Sequence, residues 1–238
     1  GSGRNIGRAT VLELAREGAN VVVNARTNME EAEAVAQEAR TLGVKALPIL
    51  ADVSDKAQVD AMVATALKEF GRLDILISNV AIRPNKSFVD LTLEDWREAQ
   101  GVILDGAFFL SKAAVPSMIE HGYGRIIYIS GDGAYTGHSQ RSHVYAAKMG
   151  LVGMARVLAS ELGPDNITVN VVSPGRIDTT RNMAWYTGRD MDNTAVIPLA
   201  RMGMPREIGA TCLFLASEDG GFITGQTIHV NGGASYHG

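Results

Sequence analysis

Apolar residues along this chain alternate between two spacings, one of helical period and one of short β-branched runs. Residues 8–17 (Arg-Ala-Thr-Val-Leu-Glu-Leu-Ala-Arg-Glu) have helical spacing and stop at Gly18, and the run from Ala19 to Ala25, with its Val-Val-Val core, predicts a strand. The helical pattern returns over 29–42 through Ala32, Val35, Ala36, Ala39 and Leu42, stops at Gly43, and gives way to a strand over 44–50. Ser54 is placed to cap a third helix with the apolar face Val59, Met62, Val63, Ala66, Leu67 and Phe70, ended by Gly71.

Leu73 to Ser78 reads as a buried strand, and Thr92-x-x-Asp95 is a capping-box signal for a long helical region reaching about residue 120. Arg125 to Ser130 predicts a strand, Tyr145 to Leu162 a helix and Ile167 to Val172 a strand. An irregular stretch over 176–204, a helix over 206–216 and a short strand from Thr227 to Val230 complete the chain. No repeat, low-complexity tract or linker interrupts it.

Alternating helices and strands at this spacing predict an α/β fold, a doubly wound parallel sheet in a single domain over 1–238, with ligands at the carboxyl ends of the strands. A strand normally feeds the first helix of such a sheet, and without it the middle of the sheet exposes unpaired backbone groups. About ten further residues are therefore expected ahead of Gly1 in the natural protein.

The 238 residues are 46% hydrophobic and carry 22 Lys+Arg against 26 Asp+Glu, a net charge of −4 without a block of like charge. That balance argues against nucleic-acid binding. No run approaches the ~20 apolar residues of a membrane span, and the expected location is cytoplasmic. Cys212, the single cysteine, reads as a small buried hydrophobe. The five histidines include no i, i+4 pair, so no metal site is expected.

Two stretches carry candidate chemistry. Gly1-Ser-Gly-Arg-Asn-Ile-Gly7 runs straight into the first helix, and a glycine-rich turn there offers free N–H groups to a pyrophosphate; read alone, it is equally an ordinary loop. Tyr145-Ala-Ala-Lys148 puts a phenol and an ammonium on one helix face, where the lysine favours phenolate and makes the tyrosine a usable acid or base.

With these two in order, the chain resembles the short-chain dehydrogenase/reductase family over essentially its whole length, and within it the 3-oxoacyl-carrier-protein reductase-like branch. The resemblance also rests on Asp52-Val53, on Leu73-Asp-Ile-Leu76 followed by Asn79, and on Asn170-Val-Val-Ser-Pro-Gly175. Phe222-Ile-Thr-Gly-Gln226 and Val230-Asn-Gly-Gly233 match the family's C-terminal signature. It implies a Rossmann-like, nicotinamide-dependent oxidoreductase acting on a carbonyl/alcohol pair, with Tyr145 as acid/base and Lys148 holding the nicotinamide ribose. It further implies that Gly1, Gly3, Ile6 and Gly7 meet the pyrophosphate, and that Asp52 and Val53 meet the adenine. Asn79 and Ala81 would border the adjoining ribose, Pro174, Gly175, Ile177 and Thr179 the nicotinamide, and a homotetramer is implied as the assembly.

A carboxylate at the end of the second strand of such a fold accepts the 2′-OH of NAD and repels a 2′-phosphate. This chain has Asn24-Ala25-Arg26 there and Arg4 in the glycine turn, which favours NADP(H) unless Arg26 is a solvated surface residue.

Four departures from the family pattern stand out: Asn5 in place of the turn's second glycine, Ser78-Asn79-Val80-Ala81 for Asn-Asn-Ala-Gly, Ile103 at the relay asparagine, and Gly131 at the catalytic serine. Ser130 is the nearest substitute for that serine, although alternation predicts that it points to the opposite face. Ser139, Ser142 and His143, in the loop ahead of Tyr145, are other donors, with His143 read more simply as a solvent-facing loop residue. Arg83, Arg141 and Arg176 either favour an anionic group or are ordinary surface arginines. The stretch over 176–204, with Trp185 and Tyr186, is expected to form a substrate lid. A second reading, an NADP(H)-binding sensor or partner subunit without efficient catalysis, rests on Ile103 and Gly131.

Overall fold

The structure is a computed structural model that describes residues 1–180 and 194–236. Its elements follow the expected alternation: α1 (Asn5–Arg16), β1 (Val21–Ala25), α2 (Met29–Thr41), β2 (Ala46–Leu50), α3 (Lys56–Phe70) and β3 (Ile75–Ser78). After these come α4 (Leu93–Gln100), α5 (Gly106–His121), β4 (Gly124–Ile129), α6 (Gly133–Thr136), α7 (Ser142–Leu162), β5 (Ile167–Pro174), α8 (Pro205–Ala216) and β6 (Thr227–Val230).

Every strand pairing is parallel. Parallel strands need crossovers, and the crossover helices cover both faces, which is why β4 and β5 are buried along their whole length. Alternate residues of β4 serve opposite layers. Ile127 and Ile129 pack with Val11, Ala36, Ile208 and Cys212 of α1, α2 and α8. Ile126 and Tyr128 pack with Met118, Leu151 and Ala155 of α5 and α7. Cys212 is buried as expected, and that burial pushes its thiol up to about 12.

The strands do not form one sheet. β1 pairs with β2 alone, and β3, β4, β5 and β6 form a second sheet in that order. Between the two lies a cavity of about 440 Å³, walled by Val21, Val22 and Asn24 on one side and Ile75, Leu76 and Ile77 on the other.

Local corrections have local causes. The cap of α3 is Asp55, whose carboxylate accepts from the N–H groups of Ala57 and Gln58, while Ser54 instead donates to Asp52. The capping box at Thr92 and Asp95 is present. The long helical region is divided by a π-helical turn at Gly101–Asp105. Helix α7 begins three residues before Tyr145. The run Leu93–His121 is long and apolar enough to cross a membrane, contrary to the sequence estimate, but half of that stretch is buried inside the fold. It packs as a core helix through Ile103, Ala107, Ala114 and Met118.

Asn170, fully buried on β5, ties the approach to β6: its amide donates to the Ile223 carbonyl at 2.6 Å and accepts from the Gln226 N–H at 3.0 Å. Asn170→Ala leaves both groups unpaired and is expected to cost about 3 kcal/mol, read as a lower urea midpoint at unchanged m-value. An unchanged midpoint would show that Asn170 is dispensable to this connection.

Candidate active site

The carboxyl ends of the strands bring most of the expected site residues to one edge. Tyr145 lies in the first turn of α7, with its N–H bonded to the Arg141 carbonyl at 3.0 Å. Lys148 follows one turn later and is 3% exposed, its ammonium donating to the carbonyl of Ile129 at the end of β4. Burial, with a contribution from the charge of Arg83, lowers the Lys148 pKa to about 7.

The phenol is held against a glycine. A Cβ on Gly133 would lie 2.2 Å from Tyr145 Oη, so no side chain fits there without moving the tyrosine. Gly131 is different, since a Cβ there would meet nothing within 4 Å. Ser130 is buried, and its N–H continues the ladder to the Val172 carbonyl without a bulge. Its hydroxyl donates to the Lys148 carbonyl at 3.5 Å. Ser130 thus faces α7, on the same side as Ile126 and Tyr128, as the alternation predicted from the sequence requires, with no bulge to turn it toward the open side of Gly131.

Two further expectations change. His143 is fully buried in α7 rather than in a solvent-facing loop, and neither ring nitrogen has a hydrogen-bond partner. Burial lowers its pKa. Arg141 is buried as well, its Nε donating to Asn85 at 2.8 Å, so it is not a surface arginine. Together with the Lys86 N–H bonded to the Gln140 carbonyl, this holds the stretch after β3 against the start of α7. Ile103 is fully buried within the π-helical turn, among the apolar residues that pack under α7.

At the other end, the glycine turn is folded tightly onto the start of α1. A Cβ on Gly7 would fall 2.1 Å from the Gly1 carbonyl oxygen, and Arg4 at the N-cap gives no side-chain cap to the first turn. Gly1 and Gly3 lie in that turn; Ile6 is buried beneath it, and Arg4 and Arg26 are exposed at its rim. Asn24 is buried, with its amide donating to the carbonyls of Ala25, Ile49 and Ala51, so it ties β1 to β2 rather than reaching outward. Asp52 is occupied by the Ser54 hydroxyl and N–H, Val53 is buried against Gly106, and Asn79 donates to the Gly1 carbonyl. Ala81 is half-buried.

Asn5 adopts a positive φ of 51°, as its place in the turn requires, and does more than that. Its side chain donates to the Thr180 carbonyl and accepts from the Thr180 N–H, both at 2.9 Å. This clamp, invisible to sequence because its partners are far apart in the chain, fastens the stretch after β5 to the glycine turn. That stretch holds Pro174, Gly175, Ile177 and Thr179, with Gly175 close against Asn231 and Ile177 bridged to Gly203. The described ends of the 176–204 segment are thereby held together; Trp185 and Tyr186 lie outside the described residues.

Sequence reasoning also passed over Asp132. Its carboxylate accepts from Asn231 and from the Ser235 hydroxyl and lies 3.9 Å from His229 on β6. No group of metal-ligating side chains occurs among the described residues.

An uncapped helix start behind a turn too tight for a Cβ, guanidinium groups at its rim and a buried ammonium at the opposite end fit a dinucleotide. Comparison with known proteins agrees: a family profile described as enoyl-(acyl carrier protein) reductase matches residues 1–235. The chain belongs to the short-chain dehydrogenase/reductase family. It is 37% identical over 233 residues to the 3-oxoacyl-[acyl-carrier-protein] reductase FabG of Staphylococcus aureus, covering 98% of this chain and 95% of that one. It is also 37% identical over 238 residues to the (2S)-[(R)-hydroxy(phenyl)methyl]succinyl-CoA dehydrogenase subunit BbsD of Thauera aromatica, covering 99% and 94%. Among solved structures, acetoin dehydrogenase YohF from Salmonella typhimurium superposes with a TM-score of 0.89 at 33% identity, covering 98% of this chain and 92% of that one. Membership makes this short-chain dehydrogenase/reductase an oxidoreductase of carbonyl and alcohol groups with a nicotinamide cofactor.

The depressed Lys148 pKa makes stability depend on pH. The unfolded chain keeps that proton up to about 10.5, whereas the folded chain releases it near 7, so the unfolded state binds more protons between these values. Stability of the free protein should therefore rise from pH 7 to pH 9 by about 2 kcal/mol from this group. Lys148→Met should remove that rise in urea denaturation, and an identical pH slope in the variant would contradict the assignment.

Proposed function

We propose that the protein is an NADP(H)-dependent oxidoreductase that interconverts a small-molecule carbonyl and its alcohol, with Tyr145 as the acid/base. The observation that carries this reading is the pairing on α7 of the half-exposed Tyr145 with the buried Lys148, one turn apart, at the carboxyl end of β4. When bound, the nicotinamide supplies or accepts the hydride.

In the reducing direction Tyr145 donates its proton to the carbonyl oxygen. Lys148, sequestered from water, carries its positive charge on the same helix face as the phenol below about pH 7, and that charge favours the phenolate. Ser130, engaged with the Lys148 carbonyl, steadies the turn of α7 that carries the lysine. Gly1, Gly3, Ile6 and Gly7 hold the pyrophosphate, Asp52, Val53, Asn79 and Ala81 line the adenosine half, and Pro174, Gly175, Ile177 and Thr179 border the nicotinamide.

Preference for the 2′-phosphate rests on Arg4 and Arg26 and on the absence of a carboxylate from residues 24–26. Asn24 does not contribute to it, since its amide is turned toward β2. The names of the relatives favour substrates with a second carbonyl or a thioester near the reacting group, and a cytoplasmic site of action is part of the same reading.

A second reading, a weakly catalytic or non-catalytic NADP(H)-binding protein of this fold, draws on two observations: Ile103 is apolar and buried where the family has its relay amide, and Gly131 presents no hydroxyl. Turnover separates the two. Tyr145→Phe should lower kcat about 1000-fold with an acetoacetyl thioester or a vicinal diketone while NADPH affinity stays within twofold, and the wild type should bind NADPH more tightly than NADH. Binding without turnover across both substrates would decide for the second reading.

A homotetramer is proposed on the family resemblance and on apolar side chains left outward on α5 and α7, where Phe108, Met149 and Val157 are 50%, 40% and 55% exposed. Light scattering at micromolar concentration should return four times the monomer mass; the monomer mass would refute this assembly.

A further inference from the structure

A carbonyl oxygen that is being reduced gathers negative charge, and a second hydrogen-bond donor beside the acid stabilises it. Tyr145 is one donor. The family's second is a serine hydroxyl, but that position here is Gly131, and the neighbouring Ser130 is 3% exposed with its hydroxyl directed to the Lys148 carbonyl.

Another side chain faces the phenol. The point where a Cβ of Gly133 would stand is 2.2 Å from Tyr145 Oη and 2.5 Å from His138 Cδ2. The phenol oxygen and the imidazole edge therefore both close over Gly133, side by side, in the room that a side chain there would take. The two rings are 5.9 Å apart between centroids and inclined by 44°. Cδ2 is bonded to Nε2, so the ring nitrogen that can donate is one bond from the atom that packs beside the phenol oxygen. His138 is exposed, on the approach to α7, where an incoming substrate can meet it.

We propose that His138 donates a hydrogen bond from Nε2 to the substrate oxygen that Tyr145 protonates, supplying the stabilisation that a serine hydroxyl supplies elsewhere in the family. This rests on the carbonyl–alcohol reading above. In reduction the carbonyl carbon gains a hydride as the reduced nicotinamide is oxidised, the π pair moves to oxygen, and the Tyr145 proton completes the O–H bond. His138 keeps its proton throughout, and water returns one to Tyr145.

The test measures NADPH oxidation with an acetoacetyl thioester and with a vicinal diketone. His138→Ala should lower kcat about 100-fold, with the NADPH Kd and the Tm at wild-type values. His138→Gln, which retains an N–H donor, should recover part of the loss. Gly131→Ser placed in the His138→Ala background should recover about tenfold or more, because the space there is open; a merely structural histidine would not respond to a hydroxyl at that position. If His138→Ala keeps kcat within threefold of wild type while Tyr145→Phe is inactive, the role of His138 is overturned and that of Tyr145 stands. If Tyr145→Phe remains active, or the wild type binds NADPH and turns over neither substrate, the oxidoreductase reading fails and the inference falls with it.

Discussion

Parallel pairing is the constraint on which the rest of this molecule depends. Because β3, β4, β5 and β6 all run the same way, each connection must cross over a face, and each strand delivers its carboxyl end to the same edge. Asn79, Ser130 and Gly175 lie at that edge for this reason alone, each being the first residue beyond its strand. The same crossovers wrap β4 and β5 from both sides, giving the dry floor into which Lys148 reaches.

Charge at that floor is costly, and the fold retains it. An ammonium that is 3% exposed holds its proton poorly, so the free protein carries a lysine poised near neutrality at the place where a phenol needs a cationic neighbour. Stability is given up locally for chemistry, a trade common at sites where function and packing compete. His143, buried nearby on the same helix with both ring nitrogens unpartnered, adds to that local cost.

Much of the fold was legible because hydrophobic period survives translation into three dimensions. Ala32, Val35, Ala36 and Ala39 read as a helix face and are buried as one, and the Thr92–Asp95 capping box forms as spelled. Tyr145 and Lys148 were legible because their relation is local. What was not legible depends on contacts between distant segments. Arg141 is buried by Asn85, and His138 meets Tyr145 across a loop whose path no periodicity encodes. The face of Ser130 was legible relative to position 131 because β4 runs on without a bulge, whereas the helix that lies on that face is set by the crossovers and was not. Division of the strands into two sheets follows from pairing, which the pattern of apolar residues does not specify.

The clamp between Asn5 and Thr180 joins groups 175 positions apart in the chain. Contacts of such separation bear the entropy of closing about three-quarters of the polypeptide, a cost that falls when nearer contacts have already shortened the effective loop. In kinetic terms the clamp is then expected among the later contacts of folding: α1 and the segment after β5 must both be docked before Asn5 finds its partner. A chain arrested partway can hold a helical α7, with Tyr145 and Lys148 already one turn apart, and still lack the clamp that fastens the segment after β5 to the glycine turn.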